Sequence, residues 1–260
     1  MNLSRRRAIQ REFTEICGNY AGVVQTRGKR EARKLAEWIR PHANDTVLDA
    51  ACGPGLLARE LAGYSNHVVG IDLCLSMIQS GIQTHTRTPC QSAFAVADIE
   101  QLPFPTGGFD LLTCTYSFAN FPKPVKILKE FCRVTRSGGR IAVAEVIAPE
   151  DPAACDFVNR LESLRSRIYT RVLTRIEFLR LFQAAGLELE AFHFQWRHIR
   201  FRDWLRLAPA GSVSGRFHRL RKTVQDMIQN NYAELHPRRI HGELSFSHQT
   251  AWFLLRCHSS

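Results

Sequence analysis

Val47-Leu48-Asp49-Ala50-Ala51-Cys52-Gly53-Pro54-Gly55, followed by Val68-Val69-Gly70-Ile71-Asp72, is the stretch that decides the fold. It reads as an apolar strand, a glycine turn, the start of a helix, and a second apolar strand that ends on a carboxylate. Glycine lets the backbone pass close under a ligand, and a helix opening behind the turn points unpaired N–H groups at it. Asp72 follows Gly55 at the spacing expected of an acid that closes a βαβ unit on a ribose. Asp49 narrows the choice of ligand. A carboxylate at the end of the first strand repels a pyrophosphate but suits a molecule carrying an ammonium and a sulfonium, and S-adenosylmethionine carries both.

Outward from this unit, strand and helix patterns alternate. Strands are expected near 46–50, 67–72, 92–97, 109–114 and 139–147, with helices near 54–63, 74–84 and 122–135. The apolar runs are nearly continuous, as strands covered on both faces require, and the alternation implies a parallel, doubly wound sheet. Ahead of it, Ile9, Phe13 and Ile16 share a helical face that Gly18-Asn19 can end, and Ala32, Leu35, Ala36 and Ile39 begin a second helix stopping before Pro41. Beyond Pro149, Ala154 to Leu164 make a helix, a Thr174–Glu177 capping box opens another that closes at Gly186, and Leu187 to Trp196 alternate as a sixth strand. The last strand spans Leu244 to Cys257. Between these two strands lies an insertion, 197–242, with Val213, Phe217, Leu220, Val224, Met227 and Ile228 in phase on one helix.

At 260 residues and 45% apolar content the chain fits one domain with a full core. Within it, 1–41 form the N-terminal helices, 42–150 the cofactor-binding core, 151–196 and 243–260 the rest of the sheet and its helices, and 197–242 a helical lid. The eight cysteines form no C-x-x-C pair, which argues against a zinc knuckle or a disulfide framework, and no metal site is expected. No stretch approaches a membrane span, the basic N-terminus lacks the apolar run of a signal peptide, and a cytoplasmic location is expected. The net charge of +11 is uneven: residues 1–40 carry ten Lys/Arg against four Asp/Glu, and 195–260 eleven against four, whereas 41–150 carry eight against ten. Basic flanks suit an anionic partner or simply a solubilising surface.

Gly53-Pro54-Gly55-Leu56-Leu57-Ala58 also satisfies the G-x-G-x-x-A dinucleotide pattern, so a nicotinamide dehydrogenase is the rival reading. Asp49 before the turn, Ala97-Asp98 after the third strand, and Gln101-Leu102-Pro103-Phe104-Pro105 leading into the fourth argue against it. Together with Leu48-Asp49-x-Ala51-Cys52-Gly53-x-Gly55, Gly70-Ile71-Asp72-Leu73-x-x-x-Met77, and Glu130-x-x-Arg133-Val134 before Gly138-Gly139-Arg140, these residues carry a resemblance. The chain resembles the class I S-adenosylmethionine-dependent methyltransferases, in the group of the ubiquinone/menaquinone-biosynthesis C-methyltransferases. The similarity is dense over 45–150 and thins outside.

The resemblance implies a doubly wound, mostly parallel, seven-stranded Rossmann-like sheet with an antiparallel last strand and a helical lid. It implies that Asp49 and the backbone of Ala51, Cys52, Gly53 and Gly55 hold the methionine end of S-adenosylmethionine, and that Asp72 accepts both ribose hydroxyls. Leu73 and Ile99 then sandwich the adenine, Asp98 accepts from its amine, and Met77 belongs to the same set. Thr115 lines the reactive side, and Tyr20 closes over the cofactor. Taken singly, Asp72 or Asp98 could simply cap the following helix. Two departures stand out: Ala51 replaces the usual first glycine, and Ala119-Asn120 stands where many relatives have a His-His pair, which leaves no ready base there.

Methyl transfer from a sulfonium is an in-line displacement, so alignment and exclusion of water are the protein's main tasks. Candidate catalytic groups are Tyr116 and Asn120 after the fourth strand and His198 after the sixth, with Glu145 and Arg197 also near the mouth. The insertion should roof the crevice, and Trp196, Arg200, Phe201, Arg202, Trp204 and His218 suit a small planar or anionic acceptor. The Asn/Asp-Pro-Pro-aromatic motif of base methylation is absent from Cys114-Thr115-Tyr116-Ser117, and Cys114 reads as core, so RNA or tRNA methylation ranks below a small-molecule acceptor. A non-catalytic cofactor-binding protein of the same fold is the third reading. The acceptor atom and the oligomeric state are not legible.

Overall fold

The structure is a computed structural model that describes residues 2–84, 92–209, 222–223, 238–240 and 243–258, without the side chains of 19–27 and 238–240. A helix, α1 (Leu3–Ile39), leads into β1 (Thr46–Ala50), α2 (Leu56–Leu61), β2 (His67–Asp72), α3 (Leu75–Thr84), β3 (Ser92–Val96) and β4 (Phe109–Thr115). Next come α4 (Pro124–Val134), β5 (Thr135–Ile147), α5 (Pro152–Arg165), α6 (Arg175–Ala184), β6 (Leu187–Arg200), α7 (Phe201–Leu205), β7 (Arg238–Ile240) and β8 (Glu243–Cys257). The sheet runs β3-β2-β1-β4-β5-β8-β6, with the short β7 pairing the first residues of β8. Strands β1 to β5 are parallel, and β8 is antiparallel to both β5 and β6. The strand order reverses between β1 and β4, which sets a crevice at their carboxyl ends.

Strand parity builds two cores. Leu48, Ala50, Ile71, Leu112, Cys114, Val143 and Phe253 face α4 and α6, while Val47, Val68, Leu111, Ala142, Ala144 and Trp252 face α1 and α2. A third cluster joins α5 to α7 and β8 through Phe157, Leu161, Trp204 and Phe246. The Glu130-x-x-Arg133 motif proves to be a brace: Glu130 accepts from Leu102 N at 2.7 Å, and Arg133 donates to the carbonyls of Leu102 and Phe104 at 3.1 and 2.9 Å. That pins the loop after β3 beside the crevice.

Three expectations need correction. The N-terminal region is one helix of 37 residues, not two, because Gly18 does not end it. A glycine inside a helix costs only about 1 kcal/mol. Here both halves of the helix are docked: Gln10 bonds Leu73 O at 3.1 Å, and Ala32, Leu35, Ala36 and Ile39 are buried. The sixth strand continues to Arg200 instead of stopping at Trp196, since β8 offers partners as far as Arg200↔Ser245. The insertion contributes α7 and β7, while its expected amphipathic helix and His218 lie outside the described residues. No described helix is long and apolar enough to cross a membrane.

Candidate functional site

Positive φ angles shape the turn after β1: +56° at Ala51, +54° at Gly53 and +72° at Gly55. Two of these are glycines that adopt the conformation freely, and Ala51 holds it at a cost of about 1 kcal/mol. Neighbouring packing closes Gly55, and Gly81 beneath the turn, to a side chain. A Cβ on Gly55 would meet the Phe94 ring at 2.4 Å, and one on Gly81 of α3 would sit 2.1 Å from Pro54 O. Cys52 N donates to Ile71 O at 2.9 Å, which ties the turn to β2.

The acids converge on this turn. Asp72 accepts from Gly53 N and Cys74 N, each at 2.8 Å, and a carboxylate holding two donors keeps further lone pairs for a ligand. Asp49 is 1% exposed and accepts from Thr113 Oγ1 at 2.7 Å and from Ala58 N, in the first turn of α2, at 3.1 Å. Burial pushes its carboxyl up to about 7, against the pull of those two bonds, and burial also raises Asp72. Asp98 accepts from Glu100 N at 2.9 Å and forms an ion pair with Arg6 of α1 at 2.5 Å. The N-terminal half of α1 therefore lies over the tips of β2 and β3.

Beside the turn, on the α1 side of the sheet, opens a cavity of about 490 Å³, a size that accommodates a small molecule. Cys52, Pro54, Thr115, Tyr116 and Asn120 line its inner end, and Phe13, Ile16, Leu35, Tyr169, Val172 and Trp204 give it an apolar wall. Its four arginines pair with three carboxylates: Arg197 with Glu31 at 2.8 Å, Arg165 with Glu162 at 2.6 Å, and Arg200 and Arg206 both with Asp203, at 2.8 and 3.8 Å. Tyr116, held at φ +53°, donates its hydroxyl to Glu31 and lies under the Arg197 guanidinium, 5.4 Å from the ring centroid. Burial, reinforced by Glu31, pushes this phenol well up, so it stays protonated. Glu145 accepts from the backbone of Ser117 and Phe118, and burial lifts its carboxyl to about 8.

Residues 48–143 match a family model described as a methyltransferase domain. The uncharacterised methyltransferase YcgJ of Bacillus subtilis is 28% identical over 165 residues, 63% of this chain and 65% of the relative. A demethylmenaquinone methyltransferase of Corynebacterium kroppenstedtii is 30% identical over 176 residues, 65% of this chain and 68% of the relative. The chain belongs to the class I S-adenosylmethionine-dependent methyltransferases. A solved Bacillus halodurans structure shares the fold at a TM-score of 0.80 with 25% identity, covering 88% of this chain and 100% of that one. The chain spans about half to two thirds of the length of the curated relatives it matches.

Set against this methyltransferase framework, the expected residues fall into three groups. Asp49, Ala51, Cys52, Gly53, Gly55 and Asp72 meet at the turn, with Leu73 and Thr115 half-buried at neighbouring strand ends. Met77 is buried, its Cε 3.7 Å from where a Cβ on Gly53 would sit, so it supports the turn from below. Ile99 is likewise buried, and Tyr20 lies among the side chains outside the description.

The catalytic candidates divide as well. Tyr116 and Asn120 line the cavity. His198 does not: as an even-numbered neighbour of Arg197 on β6 it points to the opposite face of the sheet, where Nδ1 lies 3.4 Å from Ser247 Oγ. The expectation of a cationic roof is corrected too, because Arg197, Arg200 and Arg202 are each paired with an acid. Trp204 is buried, donating from Nε1 to Glu162 at 3.0 Å, while Trp196 stays exposed. Cys114 is a core thiol that burial pushes well up, as its strand position suggested. Sequence reasoning missed Glu31, Glu162 and His248. Glu31 and Glu162 lie among other charged residues of their helices and so give no signal, while His248 stands in the amino-terminal half of a strand that starts at the crevice.

Proposed function

We propose that this chain transfers a methyl group from S-adenosylmethionine to a small, uncharged acceptor held in the cavity beside the glycine turn. The observation that carries the reading is Asp72: its carboxylate braces Gly53 N at the tip of β2 and keeps lone pairs for two ribose hydroxyls. The donor set fits the cofactor throughout. Asp49 would compensate the ammonium, the backbone of the turn would hold the methionine end, and Asp98 would accept from the adenine amine once Arg6 yields it. Bound there, the sulfonium supplies an activated methyl group.

The residues of this chain do the rest. Thr115 and Tyr116 border both the turn and the cavity, which supports a methyl group emerging toward the acceptor. The apolar wall excludes water, and the four arginines of the cavity lining stand among five acids, Glu12, Glu31, Glu145, Glu162 and Asp203, which leaves no surplus cation for an anionic acceptor. An uncharged, largely apolar molecule is therefore favoured over the anionic one suggested by the basic composition. Small-molecule chemistry also accords with the demethylmenaquinone methyltransferases among the relatives. Calorimetry with S-adenosylmethionine, S-adenosylhomocysteine and a nicotinamide dinucleotide tests the cofactor. Mass spectrometry of small-molecule extracts incubated with labelled cofactor tests the transfer. Dinucleotide binding, or labelled cofactor left intact with every extract, overturns the proposal.

A further inference from the structure

One buried polar side chain in the cavity wall has no hydrogen-bond partner among the described residues. His248 of β8 is 5% exposed and lines the cavity. Its ring meets Phe246 in a T-shaped contact at 4.8 Å. A ring that borders a cavity and has no described partner keeps its nitrogens for what the cavity holds. The other buried polar groups around this cavity are committed. Glu12 bonds Ser166 Oγ and Arg167 N, Glu145 holds two backbone N–H groups, and Glu162 is taken by Arg165 and Trp204.

Register fixes where His248 looks. It pairs with Arg197 across β6 and β8, so both side chains project from the same face, and Arg197 reaches the Tyr116 ring at the inner end of the cavity. The charged groups around the imidazole are Glu162 and Arg165 from α5 and Arg197 from β6. Burial and the two guanidiniums press the ring down to about 4 against the pull of Glu162, so near pH 7 it is neutral and has a lone pair to offer.

Resting on the methyl-transfer reading above, we propose that His248 accepts a hydrogen bond from the hydroxyl or N–H group of the methyl acceptor and takes up its proton as the methyl group arrives. The acceptor heteroatom, or a carbon conjugated to it, forms the bond to the methyl carbon. The carbon–sulfur bond breaks with its electron pair remaining on sulfur. The proton leaves the acceptor for the imidazole, which later passes it to water. The positive charge that sulfur loses thus passes through His248, beside the Glu162 carboxylate, to water.

The test uses the full chain saturated with S-adenosylhomocysteine and three probes: 1-naphthol, the more acidic 4-chloro-1-naphthol, and 1-methoxynaphthalene, which has no proton to give. Calorimetry should rank them chloronaphthol, naphthol, ether, with at least about tenfold between the first and last, the worth of one hydrogen bond. His248→Phe should erase the ranking, and His248→Asn should keep only part of it. S-adenosylhomocysteine affinity, unchanged in both variants, certifies the fold. A purely structural histidine would weaken all three probes equally. No ranking in the wild type, no naphthol binding, or an unaltered ranking in His248→Phe overturns the proposal. Failure of S-adenosylhomocysteine to bind the wild type overturns instead the methyl-transfer reading itself.

Discussion

Lowering the pH from 8 to 6 should weaken cofactor binding through protonation of Asp49. An ordinary aspartate titrates near 3.8, but burial holds Asp49 up to about 7 in the ligand-free protein. The folded form therefore favours the protonated acid. In stability, Asp49 contributes a term that is fully present below about pH 4 and is lost as the pH rises through about 7. Binding an ammonium needs the opposite, ionised form. Relative to pH 8, the dissociation constant should be about twofold higher at pH 7 and about tenfold higher at pH 6, since one proton must leave before the cation enters. Calorimetry in buffers of different ionisation enthalpy should accordingly detect about half a proton released at pH 7 and about nine tenths at pH 6. Asp49→Asn, which retains an acceptor for Ala58 N, should abolish both the pH dependence and the proton release, and weaken binding at pH 8 about 10- to 100-fold. A dissociation constant that stays level from pH 8 to pH 6 with no proton released would refute the assignment of Asp49 to the ammonium.

Three further outcomes are expected. Asp72→Ala loses both ribose contacts and frees Gly53 N, so S-adenosylhomocysteine affinity by calorimetry should fall by about 2–4 kcal/mol; unchanged affinity counts against the site. Gly81→Ala drives a methyl group to within 2.1 Å of Pro54 O and should cost about 1–3 kcal/mol, seen as a thermal midpoint lowered by about 3–10 °C; an unaltered midpoint means α3 does not support the turn as described. Arg6→Ala removes the competitor for Asp98 and should tighten cofactor binding about two- to fivefold, the small worth of a partly exposed ion pair; weaker binding would make Arg6 a cofactor contact instead.

The cofactor half of the molecule was legible because its information is local. Continuous apolar runs mark β1, β2, β4 and β5, and the glycines at 53 and 55 sit where φ is positive. The acceptor half was not, because it is made by pairing across long distances. Gly18 looks like a helix stop until the contacts that hold both halves of α1 are known. Arg197 looks like a free cation on a lid until Glu31, far earlier in the chain, is found 2.8 Å away. The sequence offers His198 as a base and passes over His248, yet strand register sends the first to Ser247 and the second to the cavity. Composition misled in the same manner: a net charge of +11 says nothing about a cavity whose arginines are neutralised by their neighbours.

The most direct test is diffraction from crystals grown with S-adenosylmethionine. Density for the cofactor should lie across the tips of β1, β2 and β3, with both ribose hydroxyls within hydrogen-bond distance of Asp72 and the sulfonium methyl facing Thr115 and Tyr116. A nicotinamide dinucleotide retained in that crevice, or ordered cofactor bound elsewhere with the glycine turn untouched, would contradict the account.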